Sequence, residues 1–142
     1  MTTPSHIVDG RGTKSKAKVT SIGQLVTAPL AYDDTKFLEL AEDDTAYNFY
    51  PPKVGEQFVI TGIHAYADRQ VSTNAGATVV VYEGTSAATI SVSRTIYQIE
   101  MEQFANIDLV LNILVNEGLF VNAKTTDDDI HMTITGYYIP KL

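Results

Sequence analysis

Three histidines are the side chains of this 142-residue chain most suited to acid–base or metal chemistry. His6, His64 and His131 are far apart in sequence, without the His-x-His or His-x-x-x-His spacing that brings two imidazoles to one metal. Two of them could still bind a metal if their strands paired in register, but solvated or cross-strand packing histidines are the commoner outcome. We therefore expect no metal centre and no cofactor.

Acidic clusters occur at residues 33–34, 42–44 and 127–129. They lack the alternating Asp-x-Asp-x-Asp-Gly spacing that wraps an EF-hand loop around Ca²⁺. We interpret them as solvated turns whose side chains hydrogen-bond the local backbone, with weak or interfacial Ca²⁺ binding as the alternative.

Motifs typical of nucleophilic catalysis and phosphate binding are missing from the sequence. The chain has no Cys and no Gly-x-Ser-x-Gly elbow, and Gly10-Arg11-Gly12 lacks the Gly-Lys-Ser/Thr ending of a phosphate loop. We therefore expect a protein that is not an enzyme.

The amino-terminal segment differs in charge from the rest of the chain. Residues 1–18 carry four basic side chains and one acid, a net charge of +3, which leaves −10 on the remainder. The basic residues are Arg11, Lys14, Lys16 and Lys18. Its Thr, Ser, Gly and Pro content predicts an extended arm, which could stay solvated, lie on an acidic protein surface or bind nucleic acid. Because an acidic body repels a phosphate backbone, we expect a protein partner and no nucleic acid.

No stretch approaches the roughly 18 continuous apolar residues that a membrane-spanning helix needs, and the amino terminus has no apolar signal segment. We therefore expect a chain made in a cytoplasm, without a membrane partner.

Short apolar runs separated by turn residues predict the elements of the remaining chain. Eight to ten strands are predicted: an edge or irregular one near Pro29, and strands over residues 37–40, 45–50, 56–67, 77–83, 90–99, 107–115, 119–123 and 130–139. Strands at intervals of about 8–12 residues, without a long helix, are typical of an all-β sandwich. We predict an antiparallel, jelly-roll-like β-sandwich over residues 19–142, preceded by the extended arm over residues 1–18.

The third predicted strand contains a change of alternation at a glycine. Phe58 lies on one face, but beyond Gly62 the large aliphatic side chain Ile63 falls on the opposite parity. A β-bulge at Gly62 would return Ile63 to the face of Phe58 and leave His64 and Tyr66 pointing outward. Outward His64 and Tyr66, together with Tyr137 of the last strand, are then candidates for a subunit or capsid interface.

Three further predictions concern the second half of the chain. Period-two spacing puts five apolar side chains of residues 107–115 on one side, which favours a strand, although residues 100–106 could hold a helical turn. Asn116-Glu117-Gly118 predicts a three-residue hairpin loop to the next strand. Outward apolar residues at 77–82 and 107–115 predict a sheet face that another copy of the chain covers.

The chain also resembles a protein family. The residues that carry the likeness are Tyr47-Asn48-Phe49-Tyr50, the Gly55 turn, Gln57–Ile63, Val115–Ala123 and Gly136-Tyr137-Tyr138. Over about residues 15–142 this pattern resembles the small β-sandwich virion proteins of tailed bacteriophages, of the capsid cement or decoration type. The resemblance implies a homotrimer on the outer capsid that binds the major capsid protein, with its arm on a neighbour.

Two other functions are compatible with the same residues. A tail, neck or fibre-associated sandwich that binds a receptor or carbohydrate is the principal alternative. A jelly-roll enzyme would need a clustered His or carboxylate site, which the sequence does not assemble.

Overall fold

Eight β-strands dominate the computed structural model, which describes residues 34–41, 45–68, 77–126 and 129–141. The strands are β1 (Asp34–Leu40), β2 (Tyr47–Tyr50), β3 (Glu56–Ala67), β4 (Ala77–Gly84), β5 (Arg94–Met101), β6 (Asn106–Leu114), β7 (Phe120–Thr125) and β8 (Ile130–Pro140). They form two four-stranded antiparallel sheets, ordered β1-β8-β3-β6 and β2-β7-β4-β5. The predicted all-β sandwich is confirmed. Among the described residues, no helix is long and apolar enough to cross a membrane.

The strand order follows from folding one long two-stranded ribbon. Strands β1, β2, β3 and β4 pair antiparallel with β8, β7, β6 and β5 respectively. Wrapping this ribbon on itself adds the β3–β8 and β4–β7 pairs that complete each sheet. An eight-stranded double sheet of this kind is a jelly roll.

Alternating side chains of both sheets fill the core between them. On β8, Ile130, Met132 and Ile134 are fully buried, whereas His131 and Thr133 point to the outer face. The predicted alternation of this strand is confirmed. Burial of such side chains is the main stabilising contribution to a sandwich without disulfides.

An aromatic group closes the core near the start of β3. The Phe58 ring stacks on Tyr50 at 4.0 Å between centroids and meets Tyr138 edge-on at 4.9 Å. The buried Tyr50 hydroxyl donates to the carbonyl oxygen of Ile134 at 2.7 Å, so its polar atom is satisfied inside the core.

The predicted hairpin at residues 116–118 is wrong. Gly118 has the positive φ of 76° that a tight turn requires, but β6 and β7 belong to different sheets, so the turn crosses between sheets. The buried Val115, just before the turn, donates its backbone N–H to the Phe58 carbonyl oxygen at 2.8 Å. Turn chemistry predicts a local reversal, whereas burial decides which sheet each strand joins.

The predicted strand over residues 90–99 is confirmed from Arg94 onward, but its bounds differ, because β5 begins at Arg94 and extends to Met101. The preceding segment, residues 85–93, packs instead on Tyr82, whose hydroxyl donates to the Thr89 carbonyl oxygen at 2.6 Å. Within the single chain Tyr82 is fully buried and Val80 is 9% exposed, so these side chains of β4, predicted to meet another copy, are already covered.

The possible helical turn at residues 100–106 is not formed: β5 continues to Met101, and residues 102–105 are a short non-helical connection. Ala105 donates its backbone N–H to the Glu102 carbonyl oxygen at 3.0 Å, and β6 starts one residue later. The strand over 107–115 is confirmed, since Ile107, Leu109 and Leu111 pack against the core. The predicted arm over residues 1–18, its boundary at residue 19 and the predicted strand near Pro29 lie outside the described residues.

Candidate functional site

A shallow groove of about 460 Å³ lies on the outer face of the β1-β8-β3-β6 sheet. We call it the His64 groove. Its lining residues are Phe37 of β1, His131 and Thr133 of β8, His64, Ala65 and Tyr66 of β3, and Asn106, Ile107 and Asp108 of β6. All four strands of the sheet therefore contribute to it.

A β-bulge in β3 turns the groove side chains outward. Ile60 pairs with Gly136 and Gly62 with Thr135, so Thr61 is the extra residue of the bulged strand. Beyond the bulge Ile63 is fully buried, whereas the His64 side chain is 46% exposed. The bulge predicted from the change of alternation is confirmed.

Two residues of the bulge are held to β8 at close range. The Thr61 and Thr135 hydroxyls share a hydrogen bond at 3.0 Å. A Cβ atom at Gly62 would lie 2.7 Å from the Thr135 Oγ1 and 3.1 Å from the His64 Nε2. The missing side chain at Gly62 therefore leaves room for both the hydroxyl and the imidazole.

The His64 imidazole is oriented by a carboxylate on the neighbouring strand. His64 is in register with Asp108 of β6 on one side and Thr133 of β8 on the other. Its Nδ1 lies 2.7 Å from the Asp108 Oδ1, which fixes Nε2 on the side of Gly62. Because the Asp108 side chain is 78% exposed, this contact contributes about 0–1 kcal/mol to stability. Its main effect is to position the imidazole.

Three aromatic rings, one each from β1, β8 and β3, form a row across the outer face of the sheet. The Phe37 and His131 centroids are 6.0 Å apart with their planes 13° from parallel, and Tyr66 lies 6.3 Å from His131 at 33°. The His131 Nε2 is 3.8 Å from an oxygen of Asp68. Phe37 is 58% exposed and Tyr66 41% exposed, so this aromatic row is open to solvent.

The predicted interface residues fall on one sheet but not in one place. His64 and Tyr66 line the groove, whereas Tyr137 is in register with Val59 of β3 and is not among the lining residues. The four basic arm residues, Arg11, Lys14, Lys16 and Lys18, lie outside the described residues.

Sequence reasoning missed Phe37 and Asp108 as site residues. Phe37 alternates with the inward Leu38 and Leu40, and Asp108 alternates with the inward Ile107 and Leu109. This period-two parity was the available signal for their outward orientation. It gives the face of each side chain but not which strands become neighbours.

The described residues contain no group of three or more His, Cys, Asp or Glu side chains able to hold a metal ion. In that same part of the chain, every buried side-chain nitrogen or oxygen has a hydrogen-bond partner. Most residues of the acidic turns, 33, 42–44 and 127–128, lie outside the described ranges. Because its lining combines aromatic rings with polar side chains, the groove is a candidate for binding through aromatic and polar contacts.

Two tyrosines outside the groove have perturbed acidities. Burial raises the pKa of Tyr82, and a smaller opposing effect comes from a hydrogen bond with Asn122. Burial also raises the pKa of Tyr138, and the negative charges of Asp34 and Glu56 raise it further. Both phenols therefore keep their protons more firmly in the folded protein than in the unfolded chain.

This difference predicts a loss of stability at high pH. The unfolded chain releases the phenol protons first as the pH passes about 10, so the stabilisation is complete below that pH and declines above it. In Tyr82→Phe, the free energy of unfolding should fall less steeply than in the parent protein between about pH 9.5 and pH 11.5. At pH 7 the variant should lose about 1 kcal/mol with its hydrogen bond. Urea unfolding across this range measures both effects, and identical pH slopes would contradict the assignment.

Comparison with protein-family models and with curated proteins finds no match to this chain.

Proposed function

We propose that this protein is a structural virion protein, a capsid decoration or cement protein of a bacteriophage. In this proposal it is made in the host cytoplasm, binds the major capsid protein on the outer capsid surface as a homotrimer, and stabilises the shell. Its function is adhesion, which needs complementary surfaces and no reaction centre. The proposal rests on the architecture and on the family resemblance of the sequence.

The strand order is the observation that carries the proposal. The two sheets have the jelly-roll orders β1-β8-β3-β6 and β2-β7-β4-β5, an architecture that viral capsid domains use repeatedly. A fold shared by many functions gives an analogy, so the surface must supply the remaining support.

The outer face of the first sheet offers contact area for a large partner. Val110 on the edge strand β6 is 91% exposed, and Phe37 and Tyr66 are also open to solvent. Aromatic and aliphatic side chains among polar ones are typical of protein interfaces, in which a few large residues supply most of the binding energy.

Charge supports a second contact through the amino-terminal arm. The described residues carry ten acids and five basic side chains, a net charge of −5, whereas residues 1–18 carry +3. A basic segment of this kind is complementary to an acidic shell protein or to the next protomer. Many modest contacts, repeated over a shell, give high avidity without a deep pocket.

Deleting residues 1–15 should weaken binding to capsids roughly tenfold or more while the sandwich stays folded. The deletion removes Arg11 and Lys14, and two exposed charge contacts of a few tenths to 1 kcal/mol each would supply this difference. A full-length variant with glutamine at Arg11 and Lys14, the two basic residues that the deletion removes, is the matched control and should lose most of the same affinity. Co-sedimentation with capsids that lack the protein measures binding, and circular dichroism checks the fold. Undiminished binding of the deletion variant would refute the role of the arm.

The location on the particle is the direct test of the proposed function. Cryo-electron microscopy of particles produced from the genome that encodes the chain should reveal the sandwich as trimers on the head. Density on the neck, tail or fibres would contradict the capsid role and support a receptor- or carbohydrate-binding module. Absence of the protein from the particle would contradict both roles.

A further inference from the structure

We propose that the His64 groove is a binding site for an uncharged saccharide. The inference goes beyond the virion role, because such a site could belong to a protein of the head or of the tail. It rests on three features of the groove: its aromatic row, its hydrogen-bonding groups and its charge.

The aromatic row supplies the surface on which the C–H face of a sugar ring stacks. The ring centroid of His131 lies 6.0 Å from that of Phe37 and 6.3 Å from that of Tyr66, with interplanar angles of 13° and 33°. The Phe37 and His131 rings stack on each other and Tyr66 is tilted beside them, so the row is an aromatic surface of three side chains, longer than a single aliphatic or ammonium group needs. Aromatic side chains with a few placed polar groups are the usual lining of a small-molecule site, and the groove's 460 Å³ lies within the common range of about 300–1,000 Å³.

Polar groups of β6 and β8 lie beside the aromatic row. Asp108 offers carboxylate oxygens, Asn106 offers an amide, and Thr133 offers a hydroxyl. Sugar hydroxyls donate and accept at once, so this mixture matches them better than it matches a purely apolar ligand. The His64–Asp108 contact at 2.7 Å holds the imidazole in place before a ligand arrives.

The charge of the groove narrows the class of saccharide. None of its nine lining residues is Lys or Arg, while Asp108 is a lining residue and Asp68 lies beside His131. Among the described lining residues Asp108 therefore supplies a negative charge that no Lys or Arg offsets, and this charge repels sialic acid, sulfate and phosphate groups. The Asp108 carboxylate already contacts the His64 imidazole at 2.7 Å, and its exposed oxygens can also accept hydrogen bonds from sugar hydroxyls.

A glycan array probed with the full-length protein tests the inference. The array should carry neutral gluco-, galacto-, manno- and N-acetylhexosamine oligosaccharides together with sialylated and sulfated ones. We expect binding to neutral oligosaccharides only, followed by titration calorimetry with the best of them. Phe37→Ala and Asp108→Asn should each weaken this binding at least tenfold. Phe104→Ala is the matched control, since Phe104 is also 58% exposed but does not line the groove, and its affinity should be unchanged.

Several results would overturn the inference. They are an absence of binding to every neutral oligosaccharide at millimolar concentration, a preference for acidic glycans, and an equal loss of affinity in Phe37→Ala and Phe104→Ala. Binding of an oligolysine peptide that Asp108→Asn abolishes, without any saccharide binding, would reassign the groove to cationic peptides. Melting temperatures of all variants separate a lost site from a lost fold.

Discussion

Replacing Gly136 with alanine should destabilise the folded sandwich by about 3 kcal/mol or more. A Cβ atom at this position of β8 would overlap the backbone carbonyl oxygen of Val59 and lie 2.5 Å from the Phe58 Cζ. Gly136 is in register with Ile60, immediately before the bulge in β3, so its close approach to β3 is part of the sheet pairing. Relief of the overlap requires the two central strands to separate.

The same substitution at Gly55 is the matched control. A Cβ atom there would meet no heavy atom within 4 Å, although the residue has a φ of 75°. Gly55→Ala should therefore cost only about 1 kcal/mol, the strain of a left-handed backbone in an L-residue. Urea unfolding of the two variants gives both free energies, and equal costs would contradict a steric origin at Gly136.

A second substitution separates the two contacts at Gly136. Phe58→Leu shortens the side chain that the new methyl group would meet, but it leaves the Val59 carbonyl oxygen in place. We expect Phe58→Leu combined with Gly136→Ala to be less stable than either single variant. Recovery of stability in the double variant would show that the Phe58 ring, and not the backbone, limits this position.

Local alternation predicted the faces of the strands well. The parity change around Gly62 was sufficient to derive the bulge and the outward positions of His64 and Tyr66, because each pleated strand has a period of two. The strand containing Ile130 was predicted in the same way. These features depend on neighbouring residues only, so a sequence contains the information directly.

Pairing between distant strands could not be derived in the same way. The turn at Gly118 was recognised, yet it connects two sheets, because the β3–β6 and β2–β7 pairs are formed between residues far apart in sequence. The positions of Phe37 and Asp108 in the groove depend on long-range strand pairs of the same kind. The class of fold follows from strand number and spacing, whereas the composition of a surface site follows from strand order.

A buried acid near the end of β4 was beyond prediction for a related reason. Glu83 beside Gly84 has the sequence of a solvated strand end, but its side chain is fully buried. It accepts hydrogen bonds from Arg94 at 2.5 Å, from the Asn116 N–H at 2.8 Å and from the Asn116 Nδ2 at 2.9 Å. Its partners lie in β5 and in the turn after β6, which only the finished fold brings together.

Replacing Arg94 with methionine should cost about 3 kcal/mol, near the lower end of the range for breaking a buried ion pair. The variant leaves the Glu83 carboxylate buried with Asn116 as its remaining partner and removes the Arg94 hydrogen bond to the Leu114 carbonyl oxygen. We expect a cost near the lower end of that range because the Arg94 side chain is 44% exposed, so water can reach the space that its guanidinium group leaves. Urea unfolding at pH 7 measures the loss.

Glu83→Gln combined with Arg94→Met should be more stable than Arg94→Met alone. A neutral amide oxygen at position 83 can still accept the Asn116 N–H, and no uncompensated charge remains inside the sandwich. Lys141→Met is the surface control, because Lys141 and Glu117 form a pair whose side chains are 53% and 44% exposed, and it should cost less than about 1 kcal/mol. If Arg94→Met costs no more than Lys141→Met, or if Glu83→Gln fails to recover stability in its presence, burial of the Glu83 charge is not what makes Arg94 necessary.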